Sequence, residues 1–219
     1  MRISHYFIAC VLLWIGGPVF GKENVVNIYN WSNYISTEVL KEFTQETGIK
    51  VNYTTYDSNE TLYAKLKANP HTGYDVIVPS TYFVDRMRRQ GMLQALDKSR
   101  LSNFKNLNPA LLNKPYDPGN HYSIPYFWTT TGIVVNTRVH APNQFQHWAD
   151  FWNPSHRNQL LLLDDVHEVF SMALLVLGYS PNDTEPEHIR RAYLKLKQLM
   201  PNIRLFNNDG VKALYIDED

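Results

Sequence analysis

The first part of the chain alternates between two kinds of apolar pattern. Three segments have the alternating or continuous apolar residues of β-strands: residues 25–29, 49–56 and 74–78. Each is followed by apolar residues three and four positions apart, which is the spacing of one helix face. Ser36 and Ser58 are candidate N-caps of the first two helices, and Gly48 ends the first. Strands and helices in alternation predict a mostly parallel sheet, with its strand-to-helix turns along one edge.

The rest of the chain repeats this pattern after an irregular middle. Residues 104–120 contain several prolines and asparagines, and we predict a surface connection there. Further predicted elements are extended pieces at 123–126 and 131–136, helices at 148–152, 166–177 and 187–200, and strands at 160–163 and 203–206. The predicted fold class is therefore α/β, with two lobes and a ligand cleft between them: residues 22–133 and 134–219.

Residues 1–21 have the pattern of a secretory signal peptide. Arg2 precedes an apolar run at residues 7–15, and Gly21 is a small residue at a suitable cleavage point. The apolar run is too short to span a membrane. We therefore predict an exported protein whose mature form begins at Lys22.

Composition narrows the possible classes of function. Lys and Arg number 21 and Asp and Glu number 21, and no basic cluster occurs, which argues against nucleic-acid binding. The chain has neither a G-x-G-x-x-G nor a G-K-[ST] motif, and we predict no cofactor. The single cysteine, Cys10, lies in the predicted leader, so the mature chain has no thiol chemistry, which fits a bacterial periplasm. We predict no metal site, because these histidines lack metal-binding spacing: His140, His147, His156, His167 and His188.

The most informative polar residues follow the apolar run at 160–163. Asp164 and Asp165 come directly after it, and Glu168 is three positions beyond Asp165. In open α/β sheets, ligands bind outside the carboxyl ends of the strands, and side chains three apart share a helix face. Asp165 and Glu168 therefore form a candidate cation receptor, whereas Asp164 is assigned to a strand-end or capping role.

Two other interpretations of this acidic pair stay open on the residues alone. Acidic residues are favoured at helix starts by the helix dipole, without any ligand. A glycoside hydrolase also needs two carboxylates, but on opposite sides of a sugar, and Asp165 and Glu168 would face the same side. Aromatic residues at the ends of other strands favour binding, because their faces attract cations: Trp31, Tyr34 and Tyr82.

Several short strings, in the same order and spacing, resemble one known family. They are 29–34 (YNWSNY), 43–51 (FTQETGIKV), 58–61 (SNET), 78–82 (VPSTY), 113–115 (NKP), 122–126 (YSIPY) and 199–202 (LMPN). Together they are similar to the bacterial spermidine/putrescine-binding periplasmic proteins. The resemblance runs from about residue 25 to residue 209. It implies a periplasmic-binding-protein-like fold, and a monomeric, non-enzymatic protein that delivers a polyamine to an inner-membrane ABC permease by hinge closure.

The resemblance also implies roles for individual residues. Trp31 matches an aromatic wall, Ser32 stands where close relatives have threonine, and Asn33 stands where an acid can occur. The loss of that acid would change the affinity for a terminal amine. The other matches are the cleft positions Tyr34, Ser80 and Tyr82, and the acidic pair for polyamine nitrogens, Asp165 and Glu168.

The family's chain continues beyond the position that matches Asp219. From this we expect a second lobe that is incomplete at the C-terminus and a cleft that lacks further aromatic walls and one aspartate. A non-binding remnant is therefore an alternative to a functional polyamine-binding protein. The preference between spermidine and putrescine does not follow from the sequence.

Overall fold

The structure is a computed structural model that describes residues 24–69 and 73–208. The predicted signal peptide lies outside these residues. The strands are β1 (Val25–Trp31), β2 (Lys50–Tyr56), β3 (Val76–Ile77), β4 (Leu160–Leu162) and β5 (Ile203–Phe206). The α-helices are α1 (Thr37–Thr47), α2 (Asn59–Ala68), α3 (Thr81–Arg89), α4 (Val166–Val176) and α5 (Pro186–Leu199). None of the described helices is long and apolar enough to cross a bilayer.

The first three strands form a parallel sheet in the order β2-β1-β3. The prediction of a parallel sheet is therefore confirmed. From β1 the chain passes to β2 on one side, and it then crosses back to β3 on the other side of β1. The crevice outside the carboxyl ends of β1 and β3 is thus the switch point where α/β sheets bind ligands.

The ends of two of these strands differ from the prediction. β1 continues through Trp31, beyond the predicted strand end at residue 29, because Trp31 pairs with Tyr56 of β2. β3 comprises only Val76 and Ile77, so it is shorter than the predicted 74–78. The longer β1 fixes the backbone of Trp31 at the carboxyl edge of the sheet.

The predicted helix caps of the first half are confirmed. The hydroxyl of Ser36 accepts from the Val39 N–H at 3.3 Å, and that of Ser58 accepts from the Thr61 N–H at 3.2 Å. Gly48 ends α1 in the left-handed conformation with φ 69°, as a helix C-terminal glycine does.

Two apolar clusters hold the first half together. Tyr29 and Tyr56 pack edge to face around the fully buried Leu62 of α2. The second cluster centres on Met87 of α3, which is also fully buried. Leu62 and Met87 therefore anchor α2 and α3 in the core of the first half.

The connection after α3 is more structured than predicted. It contains the 3₁₀ turns Lys98–Arg100, Ser102–Asn106, Pro109–Leu111 and Pro118–Asn120. Asp117 is 1% exposed, and its carboxylate accepts from the backbone N–H groups of Tyr122 and Ser123 at 3.0 and 2.7 Å. Most of residues 104–120 are exposed or half-buried, as predicted for a surface connection, but Asp117 and Asn120 are buried, and the Asp117 carboxylate organises the loop around itself. The predicted extended pieces at 123–126 and 131–136 join no described strand.

The second half has its own sheet and core. β4 and β5 pair in parallel, with an irregular register between Leu160 and Leu161. α4 and α5 cover them through Leu174, which is 2% exposed, and Leu199, which is fully buried. The predicted helix at 148–152 is a 3₁₀ turn, Trp148–Trp152, that packs on this core. The lobe boundary between residues 133 and 134 stays a prediction.

Candidate functional site

The carboxyl edge of the first sheet carries the first predicted site residue, Trp31. Its indole N–H donates to the backbone carbonyl of Val78 at 2.9 Å, so the end of β1 is tied to the segment after β3. The Tyr56 hydroxyl donates to the same carbonyl, and its ring lies 4.7 Å from that of Trp31. These contacts hold the indole at the switch point of the sheet.

Aromatic residues continue outward from Trp31. The ring centroid of Tyr34 lies 6.0 Å from that of Trp31. The ring centroid of Phe127, in the segment that connects the two halves, lies 5.2 Å from that of Tyr34. The Tyr126 hydroxyl donates to the carbonyl of Tyr34. Phe127 is 64% exposed, so this aromatic row is open to solvent at its outer end. Burial raises the pKa of the Tyr34 phenol, which keeps it protonated.

The loop between Trp31 and Tyr34 turns sharply. Asn33 has φ 60°, and asparagine tolerates this left-handed region better than most residues. Its side chain is exposed, whereas Ser32 is half-buried. The two adjacent candidate residues, Ser32 and Asn33, therefore differ in their exposure to solvent.

Ser80 is fixed by a residue that sequence reasoning missed. Asn59, the first residue of α2, is fully buried. Its side-chain oxygen accepts from the Ser80 N–H at 2.9 Å, and its amide nitrogen donates to the Ser80 hydroxyl at 3.0 Å. The same nitrogen donates to the Tyr82 hydroxyl at 2.9 Å. Asn59 thus joins the turn after β3 to the start of α2.

The two halves of the chain meet at Tyr82. Its hydroxyl donates to the Asp165 carboxylate at 2.7 Å, and its ring stacks on the His167 imidazole at 4.6 Å between centroids. Burial, then the hydrogen bond and charge of Asp165, and then the charge of Glu60 raise the pKa of the Tyr82 phenol. Tyr82 is therefore a neutral donor, and the Asp165 carboxylate forms no ion pair with any residue that the structure describes.

Asp165 also caps α4. Its second carboxylate oxygen accepts from the Glu168 N–H at 3.1 Å, while the Asp164 side chain is exposed. Of the strand-end or capping role predicted for Asp164, the capping role is wrong, because α4 begins at Val166 and its N-cap is Asp165; Asp164 lies just beyond the end of β4 at Leu162. The Asp165 side chain therefore caps α4 and contacts Tyr82 at the same time.

Glu168 points into a different environment from Asp165. It lines an open cavity of about 280 Å³ together with Trp148, Thr129 and Thr131. Among the residues that the structure describes, the Glu168 carboxylate has no hydrogen-bond or ion-pair partner. The structure thus brings Tyr82 and Asp165 together but leaves Glu168 facing this adjacent cavity.

A second contact joins the halves beside Asp165. The side-chain amide of Asn208 donates to the carbonyls of Asp57 and Asp164 at 2.8 and 2.9 Å. Its oxygen accepts from the Asp164 N–H at 3.0 Å. Asn208 follows β5, so it links the carboxyl edges of both sheets.

Three contributors to this region were not predicted as site residues: Asn59, His167 and Asn208. His167 lies between the two predicted acids in sequence, and that position was the available signal. Asn59 occurs in one of the strings that carry the family resemblance. Over residues 24–69 and 73–208, no group of three or more His, Cys, Asp or Glu side chains is arranged to hold a metal.

Two parallel α/β units joined at their carboxyl edges, with an acidic and aromatic junction, are the arrangement of a two-lobed solute-binding protein. The sequence model of the bacterial extracellular solute-binding proteins matches residues 38–217. The chain belongs to this family.

Individual relatives agree with this assignment. The chain is 54% identical over 216 residues to the spermidine/putrescine-binding periplasmic protein of Salmonella typhimurium, and this covers 98% of the chain and 62% of the relative. The protein of the same name from Escherichia coli is 53% identical over 195 residues, which cover 89% of the chain and 56% of the relative. The chain therefore spans about three fifths of the length of these relatives.

A solved structure from Listeria monocytogenes, ascribed to a spermidine/putrescine ABC transporter, superposes with a TM-score of 0.83 at 40% identity. The match covers 89% of this chain and 60% of that one. The predicted fold class, α/β and periplasmic-binding-protein-like, is confirmed.

Proposed function

We propose that the chain is the polyamine-binding component of an ABC transporter, with spermidine or putrescine as its ligand. The observation that carries this proposal is the contact of Tyr82 with Asp165. It sets a carboxylate that pairs with no described cation at the junction of the two sheets, where a ligand of this class would bind. The names of the 54% and 53% identical relatives support the same ligand class.

The chemistry of the junction suits a polyamine. Its amines are protonated at neutral pH, and carboxylates accept charge-assisted hydrogen bonds from ammonium groups. In the proposed site, Asp165 receives one nitrogen and the Glu168 carboxylate, which lines the adjacent cavity, receives another. Glu60 adds negative charge near Tyr82 and strengthens the attraction for a cation.

The aromatic row supplies the second half of the proposed recognition. Trp31 and Tyr34 cover the methylene chain and attract an ammonium group through their faces, each worth roughly 0.5–2 kcal/mol. Ser80 and Ser32 supply hydroxyl oxygens at the same edge. Asn33 offers an amide in place of a charge, so this end of the site would hold an amine less tightly.

The cellular setting is part of the proposal. The relatives are named periplasmic, and the pattern of residues 1–21 is that of an export signal. A polyamine-binding protein in the periplasm would pass its ligand to a permease in the inner membrane. Binding and release then require no catalysis.

The geometry disfavours a glycoside hydrolase. Such an enzyme places one carboxylate on each side of the scissile bond. Here Asp165 is engaged by Tyr82 and by the Glu168 N–H, while the Glu168 side chain lines a separate cavity. Activity on a panel of glycosides would contradict the proposal.

Isothermal titration calorimetry of the whole chain tests the function. Spermidine and putrescine are titrated, with 1,4-butanediol as the neutral analogue of putrescine and a neutral amino acid as the second control. We expect saturable binding of at least one amine and none of the controls. A folded chain that binds neither amine, or that binds a neutral control best, would refute the proposal.

A further inference from the structure

The side chain of Asn59 has an orientation that its partners determine. A backbone N–H only donates, so the atom of Asn59 that faces the Ser80 N–H at 2.9 Å must be the amide oxygen. The amide nitrogen therefore faces the other way, towards the hydroxyls of Ser80 and Tyr82 at 3.0 and 2.9 Å. Because Asn59 is fully buried, water does not compete for these contacts.

The orientation of Asn59 in turn determines where the Tyr82 proton lies. The Tyr82 oxygen accepts a hydrogen from Asn59, so its own hydrogen is directed to the remaining partner, the Asp165 carboxylate at 2.7 Å. A tyrosine hydroxyl has one hydrogen, so this arrangement has a single polarity. The backbone N–H of Ser80 thus sets the direction of the hydrogen bond between Tyr82 and Asp165, which are 83 positions apart in the chain.

We propose that Asn59 is a positioning residue: it directs the Tyr82 hydroxyl towards Asp165 and thereby holds that carboxylate in the orientation that receives a ligand amine. Asn59 itself lies behind Tyr82 and does not touch the ligand. The last step, reception of an amine, rests on the proposed function, whereas the positioning of Asp165 does not.

Asn59→Asp is the most informative change, because it preserves shape and reverses polarity. One carboxylate oxygen still accepts from the Ser80 N–H, but the other now accepts from the Tyr82 hydroxyl. The Tyr82 proton is drawn away from Asp165. Lone pairs of the Tyr82 oxygen and of the Asp165 carboxylate oxygen then face each other. Asn120→Asp is the matched control, since Asn120 is 2% exposed and its amide likewise accepts from a backbone N–H, that of Asn113.

The first measurement uses the protein without ligand. Chemical unfolding of the single and double variants of Asn59→Asp and Asp165→Ala gives their coupling, although the two side chains do not touch. We expect Asp165→Ala to change the unfolding equilibrium constant about fivefold less when Asn59→Asp is present. The coupling should disappear in the Tyr82→Phe background, whereas a purely Coulombic effect of the new charge would persist there. Coupling that is absent, or that survives Tyr82→Phe, overturns the inference.

The second measurement is calorimetry with spermidine. Asn59→Asp should weaken binding about tenfold, the loss expected for one hydrogen bond to a charged group, and Asn120→Asp should leave it unchanged. In the Tyr82→Phe background, Asn59→Asp should cause no further loss; an additive loss would overturn the inference. A wild-type chain that shows the coupling but binds no polyamine would refute the proposed function and leave the positioning role of Asn59 intact.

Discussion

The Tyr82 hydroxyl donates a 2.7 Å hydrogen bond to the Asp165 carboxylate, and this contact joins the carboxyl edges of the two sheets. Tyr82 is the second residue of the helix after β3, and Asp165 caps the helix after β4. Each residue thus lies at the start of the helix that follows a strand of its own sheet. The helix starts of the two halves therefore meet at the candidate site.

Removal of this hydroxyl should destabilise the junction. We expect Tyr82→Phe to lower the free energy of unfolding by about 1.5–3 kcal/mol, the typical contribution of a hydrogen bond to a charged group. Urea denaturation followed by circular dichroism measures the change. Tyr193→Phe is the control, because the Tyr193 side chain is 51% exposed. Equal midpoints for both variants would show that the contact contributes nothing to stability.

Truncation of side chains on α4 should destabilise the protein strongly only on the side that faces the core of the second half. Leu174 and Leu175 are neighbours, but the first is 2% exposed and the second 45% exposed. We expect Leu174→Ala to cost about 2–5 kcal/mol through lost burial and the cavity left behind. Leu175→Ala should cost much less. Similar thermal unfolding temperatures for the two variants would contradict the described packing of α4.

The left-handed end of α1 should resist substitution. Gly48 has φ +69°, and a Cβ added there meets no atom within 4 Å, so a new side chain would be disfavoured by the backbone conformation alone. We expect Gly48→Ala to destabilise the protein by about 1 kcal/mol. Gly132→Ala is matched, since it also meets nothing within 4 Å and has no such conformation. A stabilising Gly48→Ala would contradict this C-cap.

Acid should weaken one surface ion-pair cluster on α5. Hydrogen bonds from Arg190, and then those from Arg191, lower the pKa of Glu187 to about 2. Because the folded pKa lies below the ordinary 4.5, the charged form contributes stability above about pH 4.5, and this is lost as the pH falls towards 2. The unfolding temperatures of the wild type and Glu187→Gln should therefore converge over this range, with Glu42→Gln as the control. A difference that grows on acidification would reverse the expected sign.

Much of the fold follows from the sequence because its determinants are local. The alternation of apolar patterns predicts the order of strands and helices, and Ser36 and Gly48 predict where α1 begins and ends. The parallel order then predicts that Trp31 and Tyr82 share one edge of the sheet. These inferences need only the periodicity of the chain and the chemistry of caps.

The remainder depends on side chains that meet across the fold. The buried Asp117 occurs in a loop whose prolines and asparagines predict exposure, and its role appears only when the following backbone folds over it. Asn59 has the sequence context of a helix start, while its function depends on the turn that precedes α3. Two adjacent aspartates precede α4, and the sequence does not show which one caps it; in the structure the cap is Asp165, because its side chain accepts from the Glu168 N–H.

The most direct test of the central claim is calorimetric titration of spermidine into the wild type and Asp165→Asn. Asparagine also caps helices, so this variant keeps α4 and removes only the charge. We predict saturable binding by the wild type and a loss of affinity of about 10- to 100-fold in the variant, which corresponds to the value of a charge-assisted hydrogen bond. Equal affinities, or no binding by the folded wild type, would contradict the account.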